Sequence, residues 1–130
     1  MSEERVELIR RTFDRWNSGE REIDIEDAHP KIVVHSAMTN AEYHGYDGMR
    51  KWMAEIDDQF GDWSLSIDQF LDASEDRVLV LGTVHVRGRT SGVEFDQPMG
   101  WLLTFVGERV IELRNIPDHA QALEAAGLSK

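Results

Sequence analysis

Val6, Ile9, Phe13 and Trp16 recur three, four and three positions apart, which lays them along one stripe of a helix with Arg and Glu on its other faces. Ser2 is the expected cap, and Asn17-Ser18-Gly19 supplies stop chemistry. The charged stretch from Glu20 to Ala28 reads as a short helix or loop ending at Pro30, and Ile32 to His35 as a short strand. Tyr43-His44-Gly45-Tyr46-Asp47-Gly48 then introduces a second helix, whose Met49, Trp52, Met53, Ile56 and Phe60 share a face.

The period then changes to two. Trp63, Leu65 and Ile67 alternate with Ser64, Ser66 and Asp68, the pattern of a strand with one buried face, running to about Leu71. Asp72 to Asp76 turns the chain, Arg77 to Arg89 is β-rich, Thr90-Ser91-Gly92 turns it again, Val93 to Phe105 is β-rich, and Val110 to Ile116 follows Gly107-Glu108. Consecutive strands of this kind make an antiparallel meander. Pro98 and Gly100 predict a bulge or bend that curls it. Pro117 ends the last strand, and Asp118 opens a closing helix as N-cap with Gln121 as its capping-box partner and Gly127 as its stop. Helices followed by a curled meander give an α+β fold in which the helices cross one face of the sheet. Two helices do not fill a long bent sheet, so a pocket is expected at its open end. Neither a repeat nor a linker interrupts the pattern, and residues 1–130 read as one domain.

Charge narrows the function. In 130 residues, 25 Asp and Glu stand against 14 Lys and Arg, a formal net charge of −11. Such a surface repels phosphate backbones, so no nucleic-acid partner is expected. Lack of Cys excludes a disulfide framework, a thiolate nucleophile and a thiolate-held zinc. The acidic Met1-Ser2-Glu3-Glu4 start does not read as a signal peptide, and the apolar runs, such as Val78 to Leu81, are strand-sized. A cytoplasmic protein without a membrane partner is expected.

The order of elements and several motifs resemble the SnoaL-like polyketide cyclase group of the nuclear transport factor 2 and ketosteroid isomerase superfamily. The resemblance rests on the Asn17-x-Gly19 helix end, the Tyr43-His44-Gly45 helix entry, the long strands, and the ending from Asp118 through Gln121-Ala122-Leu123-Glu124-Ala125-Ala126-Gly127-Leu128. It implies a cone-shaped α+β barrel, a curved and mostly antiparallel sheet wrapped on the N-terminal helices. The superfamily spans isomerases, cyclases, epoxide hydrolases, dehydratases and binding modules. Ketosteroid isomerases use a Tyr and a protonated Asp as oxyanion donors and a second Asp as base. Here the first helix has no Tyr, and His35 and Ser36 follow the first strand where that base is expected. By the cyclase likeness Asp118 is the counterpart of an acid/base Asp at the end of the final strand. By the epoxide hydrolase likeness Arg114 and Asp118 match an Arg and one of two Asp.

Each candidate also has a purely structural reading. Asp118 serves equally as a helix cap or as a proton shuttle in an apolar pocket mouth. His35 is a rim histidine or a general acid/base. His85 and Arg87 alternate with Val84 and Val86, and hold an anionic or enolate substrate only if their side of the strand faces the cavity. Glu112 and Arg114, two apart, can pair. The expected chemistry is cofactor-independent proton transfer by His35 and Asp118 on a small apolar carbonyl or epoxide compound, with Arg114 or His85 stabilising negative charge on oxygen. Tyr43, Trp52, Trp63, Met99 and Trp101 are the expected apolar walls. The five His lack metal-ligand spacing, so no metal is expected, and no Gly-rich phosphate loop calls for a nucleotide cofactor. The alternative is a non-catalytic binding or association module. A homodimer through the outer sheet face is expected in either case.

Overall fold

Helical spacing in the first half and alternation in the second become three helices and six strands in the computed structural model, which describes residues 3–22, 24–88 and 92–128. The expected cap at Ser2 and turn residues Thr90 and Ser91 lie outside those residues. The elements are α1 (Glu3–Asn17), β1 (Ala28–Ser36), β2 (Ala41–His44), α2 (Gly45–Phe60), β3 (Asp62–Ser74), β4 (Arg77–Arg87), β5 (Glu94–Val106), β6 (Arg109–Ile116) and α3 (His119–Ala125). The strands form one sheet in the order β2-β1-β6-β5-β4-β3. β1 runs parallel to β6 and every other pair is antiparallel. Among the described residues, no helix is long and apolar enough to cross a membrane.

The amphipathic stripes go where they point. α1 buries Leu8, Ile9, Phe13 and Trp16, while Val6 is half-buried; α2 buries Met49, Trp52, Met53 and Ile56. At the end of α1, Asn17 does more than stop the helix: its amide donates to the Leu65 carbonyl at 2.8 Å and accepts from the Leu65 N–H at 2.7 Å, tying α1 to β3.

Three sequence expectations are corrected. Pro30 does not close a loop but lies inside β1, in the stretch between Ala28 and Val33 where pairing with β6 is irregular; a residue without an N–H fits such a gap in the ladder. Residues 41–44 form a strand on the β1 edge, too short for alternation to reveal. No bulge against β4 lies at Pro98 and Gly100, since β4 and β5 keep one register from Arg87↔Glu94 to Arg77↔Thr104. The irregularities lie instead between Ile67 and Gln69 of β3, and at Thr104/Phe105 where β5 meets β6. Gly82 sits opposite the first: a Cβ there would stand 2.0 Å from the Ser66 carbonyl oxygen. Pro98 is tolerated because β6 pairs no further along β5 than Gly100↔Ile116, leaving Pro98 with β4 alone as neighbour. Gly100 serves packing, since a Cβ on it would lie 2.4 Å from the Cβ of Ala122 in α3.

The sheet therefore has two apolar faces of unequal size. Val78, Val80, Val84 and Val86 of β4, with Met99, Trp101, Leu103 and Phe105 of β5, pack against α1 and α2 on the inner face. Leu79, Leu81, Leu102 and Ile116 point the other way and are covered by Ala122 and Ala126 of α3. α3 ends as its sequence implies, with Gly127 N–H on the Glu124 carbonyl at 3.0 Å and Leu128 N–H on that of Leu123 at 2.8 Å.

Candidate functional site: an aromatic hollow with one amide donor

All four Trp of the chain converge between the inner sheet face and the helices. Trp16, Trp52, Trp63 and Trp101, with Met38, Phe60 and Val86, line a hollow with a cavity volume of about 30 Å³. Trp16 and Trp52 meet edge-on with centroids 5.7 Å apart, and Phe13 supports Trp101 edge-on at 5.0 Å, the offset geometry that ring quadrupoles favour. Trp63 is held at the mouth. Its indole N–H donates to Asp57 Oδ1 at 2.9 Å, Arg21 donates to both oxygens of the same carboxylate, and the Arg21 guanidinium lies 4.1 Å over the Trp63 ring. A second apolar cavity of about 50 Å³ lies elsewhere, between α1 and the β1–β6 side, with Leu8, Ile32 and Leu113 in its wall.

Polar chemistry inside the hollow comes from Asn115 of β6. Its parity with Leu113 turns it inward beside Trp101, its register partner on β5. Only 7 % of it is exposed. The Ala37 N–H donates to its Oδ1, which orients the amide. Its Nδ2 has no hydrogen-bond partner among the described residues, and Asn115 lines the hollow. An amide N–H in an apolar lining is a donor available to an acceptor. Ser36, also buried, is already occupied: its hydroxyl accepts from the Trp52 indole at 3.1 Å and from the Thr39 N–H at 3.3 Å.

The expected site residues divide. Trp52, Trp63 and Trp101 line the hollow; Met99 and Tyr43 are buried nearby but outside its lining. The Tyr43 hydroxyl donates to Thr39 Oγ1 or Glu55 Oε2, at 2.8 and 3.2 Å. Burial pushes its phenol above the ordinary value, and the Glu55 carboxylate adds to that against the opposing Thr39 bond.

His35, His85 and Arg114 are turned to the outer face. His35 reaches Glu42 at 3.3 Å and Glu112 at 3.8 Å, so Glu112 faces His35 and makes no ion pair with Arg114 among the described residues. Arg114, the register partner of His35, is exposed. Val84 and Val86 take the inward positions of β4, which puts His85 and Arg87 outside. Asp118 is exposed and caps α3, its Oδ1 accepting from the Gln121 N–H at 2.9 Å. The structure does not join His35 and Asp118 by any hydrogen bond or ion pair, nor does it place either in the hollow. Among the described residues no group of three His, Asp or Glu is arranged to hold a metal ion.

This architecture is shared. A family model for the SnoaL-like domain matches residues 9–113. The chain belongs to the SnoaL-like family. No curated protein matches this SnoaL-like domain in sequence. Among solved structures it resembles a protein of unknown function with the nuclear transport factor 2 fold from Burkholderia pseudomallei, at 18% identity and a TM-score of 0.78 over 95% of this chain and 97% of that one. TerC, co-crystallised with polyporic acid, superposes with a TM-score of 0.77 at 18% identity over 95% and 98% of the two chains. A provisionally assigned SnoaL-like polyketide cyclase from a Jannaschia species gives 0.74 at 23% identity over 98% and 93%.

Proposed function

We propose that the hollow of this SnoaL-like domain binds a small, flat, apolar molecule carrying a hydrogen-bond acceptor, and that the domain acts as a binding module. The observation that carries the reading is the Asn115 amide, aimed into a chamber whose other walls are aromatic and aliphatic. A carbonyl or phenolate oxygen would satisfy that donor, a bond worth about 1 kcal/mol when neutral and more when the acceptor is charged. The rings would supply the remaining affinity by stacking and burial. TerC, which has this fold, was co-crystallised with polyporic acid, in keeping with a guest of this kind. A cavity of about 30 Å³ holds roughly one or two waters, so a larger guest enters by displacing the half-buried Phe60, Trp63 and Met38 at the mouth.

Proton transfer is the competing reading, and here it lacks a carrier: no residue lining the hollow titrates. Homodimerisation through the outer face belongs to the same proposal. There α3 already covers Leu79, Leu81, Leu102 and Ile116, so a contact would rest on His35, Glu42, Glu112 and Arg114 and weaken with salt.

The test is a titration of aromatic ketones and phenols followed by tryptophan fluorescence, since every Trp reports on the hollow. Asn115→Leu is expected to weaken a ketone by about 5-fold, the equivalent of one neutral hydrogen bond, and to leave its oxygen-free hydrocarbon analogue unaffected. Equal loss for both guests, or no fluorescence change with any, rejects the reading. Turnover of a bound ketone would favour the enzyme instead.

A further inference from the structure

The outer face carries a second set of side chains that the hollow does not use. Ser66 of β3, His85 of β4 and Asp96 of β5 stand on adjacent strands, with His85 and Asp96 as register partners and Ser66 two pairs along, opposite Thr83. The Ser66 Oγ lies 3.0 Å from His85 Nε2, and His85 Nδ1 lies 2.7 Å from Asp96 Oδ1. A carboxylate only accepts, so Nδ1 carries the proton that faces Asp96. In the neutral imidazole this leaves the Nε2 lone pair for the Ser66 hydroxyl to donate to. Hydroxyl, imidazole and carboxylate are thus joined through the nitrogens, and in the order, that make a serine nucleophilic.

The surroundings are those of a working surface. His85 and Asp96 line an open groove of about 370 Å³ together with Trp63, Ser64, Arg87 and Glu94, and Ser66 is outside that lining. Ser64 lies directly across from His85 on the same face. Arg87 is held only loosely by Glu94, at 3.8 Å between two exposed side chains. Its guanidinium and the Ser64 hydroxyl are hydrogen-bond donors in the groove wall on the His85 side.

We propose that Ser66, His85 and Asp96 form an acyl-transfer site on the outer face that hydrolyses small, uncharged aryl esters. The substrate class follows from the setting. A net charge of −11 and the neighbouring carboxylates disfavour anions, and a phenolate is a good leaving group. In the first half, His85 Nε2 takes the Ser66 proton as the Oγ–C bond forms, and the C–O bond to the phenol breaks as that proton passes to it. In the second half, His85 takes a proton from water, whose oxygen attacks the acyl carbon; the C–Oγ bond then breaks, His85 returns the proton to Ser66 Oγ, and the acid leaves. Ester and water yield acid and phenol, with no change of oxidation state.

The full chain is incubated with p-nitrophenyl acetate and, separately, with a fluorophosphonate, and the covalent adduct is located by peptide mass spectrometry. Both adducts are expected on Ser66 of the unaltered protein. Phenolate release is expected to fall by about 10²-fold or more in Ser66→Ala and in His85→Gln, each checked for native circular dichroism. Three hydrogen-bonded side chains that merely pin strands together would give neither adduct. An unlabelled Ser66, or Ser66→Ala releasing phenolate at the wild-type rate through surface Lys or His, overturns the proposal.

Discussion

The two faces of the sheet differ less in where their residues come from than in what those residues meet. β4 supplies both: Val78, Val80, Val84 and Val86 go inward to α1 and α2, while Thr83, His85 and Arg87 go outward to solvent and to neighbouring strands. Inside, the Asn115 amide and the Trp16 and Trp101 indoles are donors without a hydrogen-bond partner among the described residues. Outside, side chains pair across strands, His35 with Glu42 and Glu112, His85 with Ser66 and Asp96. The titratable groups that stand out in the sequence are thus on the wet face. Water there stabilises charge without structural help, whereas an imidazole or carboxylate in the hollow would need a buried partner.

Breaking the inner face should cost most. Trp101→Ala removes a ring that is 2 % exposed, and a loss of about 3–5 kcal/mol is expected in urea unfolding, together with loss of guest-induced fluorescence change. A cost below about 1 kcal/mol would mean that the hollow is not organised around this ring.

The contrast between capping and catalysis at Asp118 predicts a smaller effect. Asp118→Ala removes the bond to the Gln121 N–H and should cost about 1 kcal/mol, typical of a lost N-cap, while affinity in the hollow stays unchanged. A guest that binds as before but is no longer converted would instead restore Asp118 as an acid/base group.

Between the faces, Tyr43 supplies the smallest and most conditional effect. Its phenol titrates above the ordinary 10.0 in the folded chain because burial disfavours the phenolate. The unfolded chain then loses its proton first as pH rises, so the stability contributed by the protonated, buried phenol is complete below about pH 10 and is lost as pH climbs through the raised folded value. Tyr43→Phe should flatten that alkaline decline in a series of urea melts. An unchanged decline would assign it to other groups.

Elements with strong internal periodicity were legible without the structure. Met49, Trp52, Met53 and Ile56 repeat at helical spacing and are the buried residues of α2; Asp118 sits where a helix cap belongs and accepts the bond a cap accepts. β2 was not legible, because residues 41–44 are too few to show alternation. Nor was the parallel pairing of β1 with β6, which joins residues such as Val34 and Leu113 through contacts that no local pattern carries. Within the hollow, Trp52, Trp63 and Trp101 stood out as apolar bulk. Asn115 did not, although its parity with Leu113 already places it inward; a neutral amide carries no titratable signature to single it out.

The order and spacing of apolar residues by themselves determined the helices, the four-strand meander, the closing cap and the membership in an α+β class, since each of these is settled by neighbours within a few residues. Only the tertiary structure decided which side of β4 became the interior. That strand is apolar on both sides in its first half, with Leu79 and Leu81 facing α3 and Val78 and Val80 facing α1 and α2. Alternation states that two faces exist, and only the helices that come to rest on them assign one to the hollow and the other to solvent.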